Sequence, residues 1–140
     1  MIRRLAAWPF RCFRGTMTDS AEPTTDFVPV ADLADLETAA AAGPAVVYLH
    51  DPWCPVSARA KRELSRVGGE MLLVDVSAHP NLSREVEAWT GVRHESPQVI
   101  VLADGRPVWD GSHYAITRDA VSRVVGHLAP TDSEADGQPR

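Results

Sequence analysis

The tightest constraint on this chain is a change of hydrophobic period across one cysteine. Ala45-Val46-Val47-Tyr48-Leu49 is an unbroken apolar run of strand length. Such a run, bounded by turn residues and rich in β-branched and aromatic side chains, reads as a buried strand. From Val56 onward the apolar residues fall at Val56, Ala60, Leu64 and Val67, which is helical spacing. Between them lies His50-Asp51-Pro52-Trp53-Cys54-Pro55-Val56-Ser57, so Cys54 is predicted at a strand-to-helix junction. Pro55 suits the first helical turn, where its missing N–H costs nothing. Unpaired N–H groups and the positive end of the helix dipole favour thiolate over thiol at such a place, and the thiolate is the nucleophile. Cys54 is therefore the candidate reactive group, and the rest of the chain is read as what positions it.

The same pattern logic extends both ways. Phe27 to Val30 reads as a short strand, with Pro29 putting it at an edge or an end. Asp32 can cap a helix running to about Ala42, with Leu33, Leu36 and Ala40 on one face, and Gly43-Pro44 stops it. The helix after Cys54 is expected from Pro55 to about Val67, ended by Gly68-Gly69. Met71 to Val76 reads as a strand and His79-Pro80-Asn81 as a turn. Leu82, Val86 and Trp89 share a face of a third helix closed by Gly91. Gln98 to Ala103 and Arg106 to Asp110 form a hairpin around Asp104-Gly105. Thr117 can cap a last helix whose apolar face is Val121, Val124, Val125 and Leu128. The order β-α-β-α-β-α-β-β-α predicts an α/β fold, a mixed sheet covered on both faces. A thiol after a central strand, at the mouth of the next helix, sits where an open α/β sheet places its ligand site.

Composition excludes several classes. The net charge of −5 argues against a nucleic-acid binder held by a basic face. No apolar run approaches the roughly 20 residues of a membrane span. Two cysteines, Cys12 and Cys54, are too few for a disulfide framework, and a reducing cytoplasm is the expected setting. There is no CxxC pair, no Cys/His cluster at zinc spacing and no Gly-rich phosphate loop. His50, His79, His94, His113 and His127 are scattered, so no metal site is expected.

The ends differ from the middle. Residues 1–16 hold Arg3, Arg4, Arg11 and Arg14 and no acid. The apolar stretch from Leu5 to Phe10 is too short, and interrupted by Pro9, for a signal peptide. Residues 1–26 are expected to be a flexible extension, with Met17 an alternative start; a basic, aromatic membrane-surface tail is the other reading of the first sixteen. Cys12 lies there and is given no structural role. Residues 27–129 form the expected domain and 130–140 a polar, disordered tail.

Three blocks carry a resemblance. Trp53-Cys54-Pro55-Val56-Ser57, then Gly91-Val92-Arg93-His94-Glu95-Ser96-Pro97-Gln98-Val99, then Gly111-Ser112-His113-Tyr114-Ala115-Ile116-Thr117 resemble the signature blocks of the monothiol bacilliredoxins, within the thioredoxin superfamily. The resemblance spans roughly residues 27–129. It implies a thioredoxin-like fold with a central mixed sheet of four to five strands flanked by helices. It implies an oxidoreductase that removes bacillithiol from S-bacillithiolated client proteins, with bacillithiol as co-substrate and no bound cofactor. A flavin-dependent bacillithiol disulfide reductase would be the recycling partner. Family members commonly carry Thr before the cysteine and Ile after the proline, where this chain has Trp53 and Val56.

On that resemblance Cys54 is the nucleophile, flanked by Trp53 and Pro55. Ser57 stands where a dithiol would hold its second cysteine; it can donate a hydrogen bond to the thiolate or be an ordinary first-turn serine. Pro97 matches the cis-proline opposite the thiol, which would turn the Ser96 backbone toward substrate. Arg59, or Arg62, could hold a bacillithiol carboxylate. His94, His113 and Tyr114 could line the groove or hold the hairpin, while Trp89 and Trp109 read as core. Asp51 and Asp75 would tune the thiol if buried beneath it, with a surface loop and a strand end as their default. The alternatives are the same chemistry with another low-molecular-weight thiol, an iron–sulfur carrier like the monothiol glutaredoxins, and a thioredoxin-like interaction module without turnover.

Overall fold

The structure is a computed structural model and describes residues 22–128. Its elements are β1 (Thr25–Pro29), α1 (Leu33–Ala42), β2 (Ala45–His50), α2 (Pro55–Leu64), β3 (Gly69–Asp75), α3 (Pro80–Thr90), β4 (Gln98–Ala103), β5 (Arg106–Ser112), a 3-10 turn at His113–Ala115, and α4 (Arg118–Leu128). The strands form one sheet in the order β1-β3-β2-β4-β5. β1 and β2 both run parallel to β3, whereas β4 is antiparallel to β2 and to β5. This is the expected mixed α/β sheet, with five strands.

The unbroken apolar run of β2 follows from its place. Val47 and Leu49 point to one face, with Leu36 and Ala40 of α1, Leu82 and Val86 of α3, Leu72, Val74, Ile100 and Leu102. Val46 and Tyr48 point to the other, with Ala60 and Leu64 of α2, Val121 and Val125 of α4, Met71, Val99 and Val101. A strand buried on both faces must be apolar at every position, which is why alternation is absent here. Trp89 packs against the first cluster and Trp109 against the second, as read from sequence. Both edges carry a proline. Pro29 ends β1, and Pro107 sits beside a register shift in β5 between Val101 and Leu102 of its partner. A proline and a bulge both discourage pairing with another chain.

Local signals held at most boundaries. The Asp32 carboxylate accepts from the Asp35 N–H as the α1 cap, and Thr117 Oγ1 accepts from Ala120 N–H at 3.1 Å ahead of α4. Asp104 and Gly105 take φ of 55° and 75°, the left-handed pair that a two-residue hairpin turn demands.

Several boundaries moved. Thr25 and Asp26, expected in the N-terminal extension, belong to β1. Thr25 is buried; its hydroxyl donates to the Leu64 carbonyl and accepts from Gly68 N–H at 2.8 Å. A single threonine in a polar stretch carries no periodic signal, so polar anchoring of this kind is invisible to hydrophobic patterning. Helix α2 ends at Leu64 rather than near Val67. Beyond it the chain tightens into a turn held by Arg66 N–H to Glu63 O and Val67 N–H to Leu64 O, which still buries Val67. Pro80 and Asn81, expected in a turn, open α3 with proline in its first turn. The expected strand over residues 27–30 ends at Pro29, and β5 runs on to Ser112. Cys12, Met17, residues 1–16 and the tail from 130 lie outside the described residues.

Candidate active site around Cys54

Register brings three loops to one end of the sheet. Leu49 of β2 pairs with Gln98 of β4, and Gln98 pairs with Ser112 of β5. The segment after β2 (50–57), the one before β4 (93–97) and the one after β5 (113–117) therefore emerge together. These are the three blocks singled out in the sequence. Two bonds tie the third to the others. His113 N–H donates to Pro97 O at 3.1 Å, and the Arg59 guanidinium donates to Ile116 O at 3.2 Å.

Cys54 is the N-cap residue of α2, in extended backbone (φ −104°, ψ 123°), and is partly exposed. Its N–H donates to Asp51 O, and its carbonyl accepts from Ala58 N–H, both at 3.1 Å. The cysteine side chain caps nothing itself, so its sulfur is not tied to the helix it starts. The Asp51 carboxylate accepts from Trp53 N–H at 2.9 Å, which folds the tip of the loop and leaves the Trp53 ring 83% exposed. A large aromatic side chain held in water beside the thiol is available to a docking partner.

Ser57 faces inward rather than toward solvent. It is fully buried, and its hydroxyl accepts from Asp51 N–H at 3.2 Å. Among the described residues no hydrogen bond joins it to Cys54. In this structure the serine that replaces a second sulfur braces the loop.

Beneath the loop lies a polar contact set inside an otherwise apolar layer. The Tyr48 hydroxyl donates to Ser57 O at 2.9 Å and lies 2.9 Å from His50 Nδ1. A phenol has one proton, so when it is given to Ser57 O the second contact requires His50 to carry hydrogen on Nδ1. Burial pushes the Tyr48 phenol well above its ordinary range, against the effect of the Ser57 bond, with the Cys54 charge adding to the rise. Burial also lowers the His50 imidazole, helped by the Lys61 charge and opposed by Asp75 and Asp51. At neutral pH His50 is thus neutral, in the Nδ1–H tautomer. Sequence reading treated Tyr48 only as strand core, because an isolated tyrosine in an apolar run carries no sign that its hydroxyl is used.

The 93–97 loop is organised by another side chain that sequence reading missed. Gln98 is buried; its Nε2 donates to Arg93 O at 2.9 Å and its Oε1 accepts from Glu95 N–H at 3.2 Å. That leaves the loop's own polar groups free to face outward or into a groove. The Ser96–Pro97 peptide is cis. Ser96 Oγ and His94 Nδ1 are buried and have no hydrogen-bond partner among the described residues, an arrangement that calls for a ligand or water. His113, with φ of 55°, sits opposite, its Nδ1 3.9 Å from Glu95 Oε1.

Arg59 lies over the Tyr114 ring, 5.1 Å from guanidinium carbon to centroid, and spends a donor on Ile116 O. It clamps α2 to the 3-10 turn as much as it faces the mouth. Asp51 and Asp75 follow their default readings. Asp75 Oδ1 accepts from Ser77 N–H, Ser77 Oγ and Ala78 N–H, and chiefly the Ser77 side-chain bond holds its carboxyl below the usual range. Among the described residues no three His, Cys, Asp or Glu side chains gather as a metal site, and no helix is long and apolar enough to cross a membrane.

Comparison with known proteins places this geometry. Residues 27–121 match the family model described as monothiol bacilliredoxin BrxC. Among solved structures the chain is similar to a candidate oxidoreductase with a thioredoxin fold, at 23% identity and a TM-score of 0.66, covering 71% of this chain and 93% of that one. It is also similar to a point mutant of thioredoxin from Halobacterium salinarum (17% identity, TM-score 0.58, 81% and 98% covered). A third likeness is thioredoxin from Malassezia sympodialis (11%, 0.60, 81% and 98%). At these identities the solved structures establish the thioredoxin fold.

Proposed function

The chain belongs to the monothiol bacilliredoxin family of thiol oxidoreductases, and from that premise we propose that it removes bacillithiol from S-bacillithiolated proteins. The observation that carries the reading is a partly exposed cysteine at the start of α2 with Ser57, not a second sulfur, one turn on. Cys54 attacks the bacillithiol sulfur of a protein mixed disulfide. The protein leaves as its thiolate, and bacillithiol stays on Cys54. With no sulfur at position 57, the adduct waits for an external thiol. A second bacillithiol thiolate attacks the bacillithiol sulfur of the adduct, releasing bacillithiol disulfide and restoring Cys54. In sum the mixed disulfide and one bacillithiol give the free client thiol and bacillithiol disulfide, with one S–S bond broken and one formed at each step. A flavin-dependent bacillithiol disulfide reductase then recycles the dimer, in a reducing cytoplasm, and no bound cofactor takes part.

The client's chain is read as docking beside Ser96 and Pro97, where His94 Nδ1 and Ser96 Oγ have no partner among the described residues, with the exposed rings of Trp53 and Tyr114 available to it. Trp53 and Pro55 frame the nucleophile, and Ser57 and Arg59 hold the frame. The test is intact mass after treatment with bacillithiol disulfide. One adduct on Cys54, removed by free bacillithiol and absent in Cys54→Ala, is expected. No adduct, or one on Cys12 alone, would overturn the assignment.

A further inference from the structure

Helix α2 has two flanks at the thiol end, and they differ. Toward β4 and β5, Arg59 is tied to Ile116 and Tyr114. Toward β3 and β1, Lys61 leans over the Phe27 ring of β1, with its Nζ 5.3 Å from the centroid. On this second flank an open cavity of about 450 Å³ is lined by His50, Pro52, Ala58, Lys61, Arg62 and Ser65. That volume is in the range of small-molecule sites. Pro52 stands two residues before Cys54, so the cavity borders the thiol loop on the side away from the 93–97 loop.

Its charge is unlike the rest of an acidic chain. Lys61 and Arg62 line it, and among the described residues neither has a carboxylate within ion-pair distance. The one acid of α2, Glu63, is engaged elsewhere: it lies 3.7 Å from Arg66 and accepts from Arg118 N–H at 2.8 Å. Asp51 and Asp75 are near enough to act on His50, but each spends an oxygen on its own turn. Among the described residues, a guanidinium and an ammonium line one recess with no carboxylate in ion-pair contact with either, which favours a carboxylate-bearing ligand.

The geometry points to this cavity as the subsite that holds the carboxylates of the low-molecular-weight thiol, while the opposite flank takes the protein chain. The inference rests on the de-bacillithiolation reading and adds to it a division of the two halves of the mixed disulfide between the two sides of Cys54. Of the two arginines offered for the carboxylate it keeps Arg62, sets Arg59 aside and adds Lys61.

The test measures the second-order rate of Cys54 adduct formation by intact mass, with bacillithiol disulfide and with the neutral 2-hydroxyethyl disulfide. Three proteins are compared: the native chain, Lys61→Gln/Arg62→Gln, and the control Arg84→Gln/Arg106→Gln, which removes the same charge from exposed positions on α3 and β5. The cavity variant should lose about tenfold with bacillithiol disulfide, the scale of one charge-assisted hydrogen bond. It should stay within about twofold of native with the neutral disulfide, and the control should do so with both. An unchanged rate in the cavity variant, an equal loss with the neutral disulfide, or an equal loss in the control would each overturn the subsite while leaving the function standing. A native chain that forms no adduct with bacillithiol disulfide would instead defeat the function, and the subsite with it.

Discussion

Replacing Tyr48 by Phe removes one oxygen and almost no volume, and it tests the polar contact set under the thiol. Tyr48 is fully buried, so the ring contacts with Phe27 and His50, at centroid distances of 6.1 and 5.3 Å, should survive. What disappears is the donor to Ser57 O and the partner of His50 Nδ1, each at 2.9 Å. Ser57 O lies in the first turn of α2 and keeps its intrahelical acceptor role, so that loss is the smaller one. His50 Nδ1 is part-buried and would be left with an unpaired hydrogen. A net hydrogen bond contributes about 0.5–1.5 kcal/mol, and an orphaned buried donor costs about 1–3 kcal/mol. Taken near the low end of each range, because Ser57 O keeps a partner and His50 is only part-buried, the sum is about 2 kcal/mol of stability, which for a domain of this size corresponds to a melting temperature lower by roughly 10 °C.

Urea denaturation of native and variant protein measures the first number. Long-range nitrogen–proton NMR of the histidine rings measures the second expectation, that His50 is the Nδ1–H tautomer in the native protein and is disturbed in Tyr48→Phe. A variant as stable as native, with His50 unchanged, would show that the phenol is solvated in practice and that the set holds nothing together.

Three further outcomes follow from the same structure. Gln98→Leu should loosen the 93–97 loop by removing the bonds to Arg93 O and Glu95 N–H; steady-state assays should show KM for a mixed-disulfide client raised several-fold with the thiol's reactivity toward a small neutral disulfide unchanged. Thr25→Val should cost about 1–3 kcal/mol in urea unfolding, because the buried Leu64 carbonyl and Gly68 N–H lose one shared partner; a loss under about 0.5 kcal/mol, the usual surface level, would count against the anchor. His50 should make the fold acid-sensitive. Its folded pKa lies below the usual 6.5, so above that pH both folded and unfolded states are neutral and the stability is whole. As pH falls below 6.5 the unfolded chain takes up the proton first, and stability drops until the folded pKa is passed; the slope of unfolding free energy between pH 6.5 and 5 should be shallower in His50→Gln, and equal slopes would refute the assignment.

The succession of elements along the chain and the thiol's position were legible because both rest on hydrophobic period. The run Ala45–Leu49 could only be a strand covered on two faces, and the apolar spacing from Val56 could only be a helix lying on it. Glycines and prolines then marked the joins well enough to place Cys54 at one of them. The residues that hold the site in shape were not legible, for a single physical reason. Tyr48, Gln98 and Thr25 sit where an apolar residue of similar size would satisfy the pattern, and their work is done by the one or two polar atoms each side chain buries. A pattern of burial says that such a side chain is inside; only the position of a carbonyl or N–H from a distant loop says why it is polar.

Ser57 shows the same limit from the other direction. Its place in the block invited a role toward Cys54, whereas the fold gives its hydroxyl to Asp51 N–H and its carbonyl to Tyr48. Both bonds fix the loop that presents the thiol, and neither touches the sulfur. A monothiol site therefore asks two separate things of position 57: that it carry no second sulfur, which alanine would satisfy as well, and that it brace the loop, which alanine would not. Ser57→Ala separates them. The variant should keep a single stable adduct on Cys54 by intact mass yet form it more slowly, with the exposed Trp53 showing lower fluorescence anisotropy as the loop loosens. Native-like anisotropy and rate in Ser57→Ala would leave the absence of sulfur as the only reason for a serine there.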